Sequence, residues 1–316
     1  MPASPPNTSL SLEGEGRGEG GRLGDFEAEQ RMPYERSTHV LPGGSVLAES
    51  GPMRLVISAA IGQVVQTKTA LRAAEESFGF LERVARHRKH LGRQFLESRE
   101  QIKDPLVLKM ISSAAMIGDE DLTPMAAVAG TLADEVADFL FEQGMTKVVV
   151  DNGGDVAVRA DREDPITVGI RPDVNDRAVS YVIGLDPAFR SHGVATSGLG
   201  GRSLTRGIAS AATVVARTAS LADAAATAVA NASFLEDEQV WRRRAEEVDP
   251  YTDIAGLDIT VKVGPLSEEK KSRAVSQAIR RAEDLVRREV ILGAFVAVQG
   301  VHGMTEYFRD RLVEQA

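Results

Sequence analysis

Apolar and polar positions along this chain fall into both strand-like and helix-like segments. Met53 to Ile61 reads as a strand. Beyond it, Leu71, Ala74, Phe78, Leu81 and Ala85 recur at helical spacing and predict a helix. His87 to His90 is a solvated basic patch on that helix or just past it, and Asp104-Pro105 closes the region. Between Pro124 and Gly144 a second helix carries Leu132, Val136, Phe139 and Leu140 on one face, with Gly144 placed to end it. Lys147 to Val150 is a short buried strand, and Val156 to Val158 is extended again beyond a polar turn. Thr167 to Ile170 and Tyr181 to Ile183 read as strands separated by a polar loop, and Thr213 to Ala216 as a further one. That strand feeds an Ala-rich helix from about Leu221 to Ala232. Leu257 to Val263 alternates like a half-buried strand. Ser267 then caps a helix with Ala274, Val275, Ala278, Ile279, Ala282, Leu285 and Val286 on its apolar face. Ile291 to Val298 is read as the last strand. The mixture predicts one α+β (α/β mixed) domain over 32–316, with room for two lobes, behind a tail at 1–31.

Composition sharpens this picture. The Gly- and Glu-rich run from Leu10 to Gly24 has too little apolar surface to fold, so the tail is expected to be disordered, with Met32 a candidate start. The 37 basic residues against 46 acidic ones leave a net charge of −9, which argues against nucleic acid as a partner. With no cysteine, disulfides, thiolate metal sites and Cys nucleophiles are excluded. No apolar stretch of about 18 residues escapes a charge, so no membrane span is expected, and no secretory signal is read. A reducing, cytoplasmic setting fits. The 267–288 helix is compatible with a homodimer, and equally with core packing.

Three segments could carry chemistry. Asp151, Asn152, Gly153, Gly154 and Asp155 follow the buried strand, offering either a tight hairpin or a ligand loop with amide and carboxylate groups at its rim. His192 to Gly198, continuing to Arg206, gathers Thr196, Ser197, Arg202 and several glycines, a set suited to phosphate oxygens or to a flexible loop. Asp223 and Thr227 stand four apart in the Ala-rich helix. There they present a carboxylate and a hydroxyl together, both hard ligands for Mg²⁺; alternatively Asp223 only complements the helix dipole. The five histidines show no zinc spacing.

These segments, in this order, resemble the ApbE family of FAD:protein FMN transferases. Asn152, Gly153, Gly154 and Asp155 stand for its Asn-x-Gly-Gly-Asp turn, with one residue fewer. Ala195 to Gly198 stand for its Thr-Ser-Gly segment, and Ala222 to Thr227 for its Ala-Asp-Ala-x-Ala-Thr helix. The chain is most similar to the UPF0280 group of ApbE-like proteins, through Asp249, Pro250 and Asp253, the Val261 to Leu266 strand with Gly264 and Pro265, and Gly293-Ala294. The resemblance implies an ApbE/T-fold-like domain with mixed sheets and packing helices. It also implies a small phosphorylated ligand such as FAD or a related flavin, bound with Mg²⁺, and a phosphoryl or nucleotidyl transfer. Asp223 and Thr227 would hold the metal. Asn152, Gly153, Gly154, Asp155, Thr196, Ser197, Gly198 and Arg202 would line the ligand, and Asp155 or His192 would act as general base. One departure stands out: the transferases carry a His-x-x-Asp-Pro-x-Thr-Gly segment where this chain has Gly201 to Gly207. The other readings are a flavin- or pterin-binding protein without turnover and an enzyme of pterin-type C1-carrier biosynthesis.

Overall fold

The computed structural model describes residues 34–92, 102–161, 166–173 and 179–314. The expected tail at 1–31 lies outside them. Strands β1 (Arg36–Val40), β2 (Val46–Ser50), β3 (Met53–Ile61) and β4 (Val64–Val65) lead into helix α1 (Thr67–His87). Helices α2 (Pro105–Ile117) and α3 (Val128–Glu142) follow, the second entered through a 3-10 turn at Pro124–Ala127. Next come β5 (Lys147–Asn152), β6 (Asp155–Ala160), β7 (Thr167–Ile170), β8 (Tyr181–Gly184), β9 (Ser191–Ser197) and β10 (Ala211–Ala216). Helix α4 (Ala219–Asn231), β11 (Val240–Arg244), the short α5 (Ala245–Val248), β12 (Asp258–Val263) and α6 (Glu268–Arg287) precede β13 (Gly293–Val298) and β14 (Val301–Met304). The chain closes with α7 (Glu306–Arg311) and β15 (Leu312–Glu314).

The fold is α+β. A ten-stranded sheet runs in the order β1-β2-β3-β5-β6-β9-β10-β13-β14, with β4 on β3. The other sheets are the β11-β12 ribbon and the three-stranded β15-β8-β7. Strand pairs among the described residues are antiparallel, for example Val56 opposite Asp151 and Thr213 opposite Thr196. Both faces of the central strands are buried. Val148, Val150, Ala157, Ala195 and Val214 point into a core built with the helices. Val158, Val194, Val215 and Phe295 point into a second core with Ile170, Ile183 and Phe308. That two-sided burial explains the near-continuous apolar runs of β10 and β13, which show no alternation. Each fully buried Val or Phe adds about 1.5–3 kcal/mol of apolar burial.

Several expectations are corrected. Asp104-Pro105 opens a helix rather than only ending a region. Asp104 accepts a hydrogen bond from the Leu106 N–H (3.0 Å), Pro105 takes the first helical position, and Gly118 (φ 86°) ends α2. The edge strands β1 and β2 precede the first strand expected, and β13 is followed by β14 and β15. The segment from His192 to Ser197, for which a flexible loop is one of two readings, lies in strand β9 between β6 and β10: Ser191 to Val194 pair with β6 and Gly193 to Ser197 with β10.

Candidate active site

The hairpin between β5 and β6 is both a tight turn and one wall of the site. Asn152 and Asp155 are opposite each other, and Gly153 and Gly154 form the two-residue turn at φ +69° and +111°. Positive φ at both positions is the geometry that Asn-Gly-Gly favours. Asp151 Oδ1 accepts from the Gly154 N–H (2.7 Å) and fixes the turn. Asn152 is 2% exposed. Its Nδ2 donates to the Ala129 carbonyl (3.1 Å) and its Oδ1 accepts from the Arg54 N–H (3.2 Å), so both ends of the amide brace the scaffold.

Helix α4 forms the second wall. It starts at Ala219, two residues earlier than the sequence pattern suggests, so Asp223 sits beyond the first turn. Thr218 caps it through Oγ1, which accepts from the Leu221 N–H. A second cap comes from α3: Asp134, fully buried, accepts from the Ala219 N–H (3.0 Å) and the Ser220 N–H (2.9 Å). Arg159 balances that charge, donating to Asp134 at 2.9 Å and to Asp138 at 2.7 Å. Two glycines let the helix come this close. A Cβ on Gly130 would stand 2.1 Å from the Ala219 carbonyl oxygen, and one on Gly193 2.1 Å from that of Thr218. The Gly130 N–H, freed at the start of α3, donates to Asp223 Oδ2 (2.9 Å). Thr227 lies one turn on, its hydroxyl donating to the Asp223 carbonyl (3.2 Å).

Asp155 and Asp223 therefore face each other across the hairpin and α4, on the helix side of the sheet. Burial, then the neighbouring Asp151 charge, pushes the Asp155 carboxyl up to about 7, against the pull of Arg202 and the Thr196 N–H. Burial, then the Asp155 charge, raises Asp223 well above the carboxylate range, against the Gly130 and Ala129 N–H groups. Two carboxylates thus share a site with too little positive charge. Among the described residues no cluster of three or more His, Asp or Glu has metal-holding geometry.

The other expected residues divide between the two faces. Asp155 shares the helix side with Ala157 and Ala195, and strand alternation puts Ser197 there too. Thr196 points the other way and pairs its hydroxyl with that of Thr213 (2.8 Å). Gly198 is held against β10, where a Cβ would stand 2.6 Å from the Ser210 carbonyl oxygen. Arg202 covers Gly153, donating to the carbonyls of Pro52 (3.0 Å) and Asn152 (3.3 Å), so it ties the glycine-rich segment to two hairpins. His192 is a correction. It lies opposite Val158 on the second-core face, 3% exposed, beside Phe189. Burial pushes it down to about 4, so it is a neutral core histidine turned away from Asp155. Beyond Gly198 a cavity of about 270 Å³ opens, lined by Leu199, Ile208, Ser210, Lys262 and Gln299 among others.

Sequence reasoning missed Asp134, Arg159, Gly130 and Gly193. The available signal was Arg159 inside an otherwise apolar strand and Asp134 inside an apolar helix, each a buried charge in need of a partner.

A family model described as "AbpE bacteria" matches residues 38–306. The chain belongs to this family. Among its relatives is a UPF0280 protein of Archaeoglobus fulgidus, 36% identical over 167 residues that cover 52% of this chain and 65% of that protein. Another, from Methanopyrus kandleri, is 41% identical over 153 residues, covering 47% and 58%. The chain thus matches less than two thirds of the length of these UPF0280 proteins. Similar solved structures include an ApbE protein of Thermotoga maritima (15% identity, TM-score 0.44, 88% of this chain and 99% of that one). The flavin transferase ApbE from Vibrio cholerae is another (14% identity, TM-score 0.43, 88% and 100%).

Proposed function

We propose that this chain is an ApbE-like enzyme that binds a flavin-type or other phosphorylated ligand with Mg²⁺ and carries out a phosphoryl or nucleotidyl transfer. The observation that carries the reading is the Asp155–Asp223 pair. Two carboxylates disfavoured by burial and by each other, next to the Thr227 hydroxyl, form a set of hard oxygen donors that the Arg202 charge does not fully balance. Mg²⁺ fits such a set, with Asp223, Thr227 and Asp155 as its protein ligands. When bound, the metal supplies neutralisation of charge on a phosphate oxygen.

The chain's own residues supply the rest. Gly130 and Ala129 orient the Asp223 carboxylate through their N–H groups. In the metal-free chain Asp155 holds its proton up to about pH 7, so cation binding there would be coupled to proton release. Arg202 presents its exposed side to anionic oxygens while anchored on Pro52 and Asn152. Gly153 and Gly154 let a ligand approach the backbone of the turn. His192 is left out of this machinery, because it lies in the second core.

The similar Vibrio cholerae protein is a flavin transferase, which makes FAD the ligand to test first. The test is calorimetric titration of FAD and FMN with Mg²⁺ and then with EDTA, followed by chromatography for AMP release. Mg²⁺-dependent binding with AMP release is expected. Failure of every flavin and of pyrophosphate to bind in a Mg²⁺-dependent way would sink the proposal. A second reading, flavin or pterin binding without turnover, is favoured by one observation: no histidine reaches the Asp155–Asp223 face from Gly201 to Gly207 or from β9. Binding without AMP release would support it.

A further inference from the structure

The cavity of about 270 Å³ beyond Gly198 is walled by segments that one side chain braces together. Gln299 opens the two-residue turn between β13 and β14 in the left-handed region, at φ +45°, and Gly300 follows at +89°. Asn or Gly usually fills such a position, and glutamine there is strained. A glycine, however, would brace nothing. Gln299 Nε2 donates to the Gly264 carbonyl (2.8 Å), its Oε1 accepts from the Leu266 N–H (3.1 Å), and its backbone N–H donates to Ser210 Oγ (3.1 Å). The exit of β12, the approach to β10 and the β13–β14 turn are thereby held in one geometry. The adjoining wall is fixed as well, since Ser233 Oγ accepts from the Ile208 and Ala209 N–H groups, both at 2.9 Å.

The β11–β12 ribbon supplies the remaining wall and its charge. Trp241 and Arg242 pair with Lys262 and Thr260, so the register shifts and Val261 is an extra residue. In a regular strand Val261 and Val263 would face away from Lys262. The bulge breaks that alternation, and all three line the cavity. Lys262 Nζ lies 5.0 Å from the centroid of the Trp241 ring and pairs with no carboxylate among the described residues. Asp173 also lines the cavity and is engaged within the chain, so the charge left to meet a ligand is the Lys262 ammonium. Leu199, Ile208, Val261 and Val263 make the body of the lining aliphatic.

We propose that this cavity binds a small molecule with an apolar body and one anionic head, the head meeting Lys262 and the body the aliphatic walls. The volume sets the size. It falls just short of the roughly 300–1,000 Å³ of pockets for drug-sized ligands, so a single ring or a short branched chain fits and a dinucleotide does not. Few polar groups in an apolar, prebuilt lining are the usual means of orienting such a ligand. The proposal does not rest on the Asp155–Asp223 metal site.

The test uses the full chain in EDTA, with benzoate, phenyl phosphate and the neutral benzamide as probes. Trp241 is the one tryptophan of the sequence and lies against Lys262, so its emission reports on the cavity. Saturation-transfer NMR of each probe gives a readout independent of that ring. Benzoate, phenyl phosphate or both should change Trp241 emission saturably and bind at least tenfold more tightly than benzamide. The order of the two anions tells a carboxylate head from a phosphoryl one. Lys262→Met keeps an apolar stem without the charge; it should weaken anion binding at least tenfold and leave benzamide unchanged. Gln299→Gly keeps the turn without the brace and should weaken all three probes. The charge preference is read on the unaltered chain, so a variant that misfolds does not stop the test. Absence of binding by every probe up to tens of millimolar overturns the proposal. So does equal affinity for anions and benzamide, binding by NMR that leaves Trp241 emission unmoved, or anion binding unaltered in Lys262→Met.

Discussion

Asp155→Asn should stabilise the fold, and only on one side of a pH window. Unfolded, Asp155 titrates near 3.8; folded, burial and the Asp151 charge raise it to about 7. Below pH 3.8 both states hold the proton and the carboxyl has no effect on stability. Between the two values the native state binds more protons than the unfolded one, so stability falls as pH rises. Above pH 7 the full penalty applies. A shift of this size corresponds to at most about 4 kcal/mol, at 1.36 kcal/mol per pH unit. Asp155 is only half-buried and its contact with Arg202 is lost on substitution, so screening reduces the expected net gain to about 1–2 kcal/mol. Asparagine keeps an oxygen for the Thr196 N–H. The assay is urea unfolding of both chains at pH 4.5 and pH 8 in EDTA. The difference between variant and wild type should be roughly a quarter of that value at the lower pH, where the unfolded carboxyl is already mostly ionised, and reach it at the higher. Equal differences at both pH values, or a variant less stable at pH 8, would refute the reasoning. Saturating Mg²⁺ should then narrow the gap at pH 8, because the proposed metal site stabilises only the chain that retains both carboxylates.

Four other substitutions test separate links. Asp223→Ala should weaken Mg²⁺-dependent ligand binding at least tenfold, on the order of 1.4 kcal/mol by calorimetry, and unchanged affinity would reduce Asp223 and Thr227 to helix surface. Asp134→Ala leaves Arg159 with Asp138 as its one remaining carboxylate partner and leaves the Ala219 and Ser220 N–H groups without their acceptor; thermal or urea unfolding should report a loss of about 3 kcal/mol, the lower end of the usual cost of breaking a buried pair. Gly193→Ala forces α4 off β9, where a Cβ has 2.1 Å to the Thr218 carbonyl oxygen, and should cost several kcal/mol in the same assay. His192→Leu removes a buried, unpaired Nε2 and should leave ligand affinity unaltered at every pH. A shifted pH profile of binding would return His192 to the site.

How much was legible in the sequence follows from which signals are local. Helix α6 was readable because its apolar stripe and the Ser267 cap, accepting from the Lys270 N–H (3.3 Å), are both local. The Gly153-Gly154 turn and the Asp223–Thr227 spacing were legible for the same reason. Strand β9 was not. His192, Gly193, Thr196 and Ser197 look like loop residues, and only their position between β6 and β10 makes them a strand. The division of the site by face was hidden too. Thr196 and Ser197 are adjacent in sequence yet belong to opposite cores, and His192 falls with Thr196. The caps of α4 are long-range: Asp134 lies 85 residues from Ala219. No window on the sequence brings those groups together.

The α4 N-terminus joins packing to the proposed chemistry. A purely structural role for Asp223 would call for a neutral side chain, since the surrounding Ala222, Ala224, Ala225 and Ala226 are buried and need no charge. Instead the fold uses the glycine at 130 to bring a backbone N–H onto that carboxylate, and the glycine at 193 to seat the helix start on β9. It fixes the same start with a buried Asp134–Arg159 pair, whose desolvation makes it a poor source of stability and a good source of fixed geometry. The result is a rigid presentation of one disfavoured carboxylate to another. Stability alone selects against such a pair, whereas a ligand that brings positive charge turns it into a binding site. The proposed Mg²⁺ site would account for the alignment of α3, β9 and α4 on Asp223. The prediction follows that Asp155→Asn with Asp223→Asn gives a more stable chain above pH 7 that no longer responds to Mg²⁺ in a thermal melt. A double variant that still gained stability from Mg²⁺ would move the cation elsewhere.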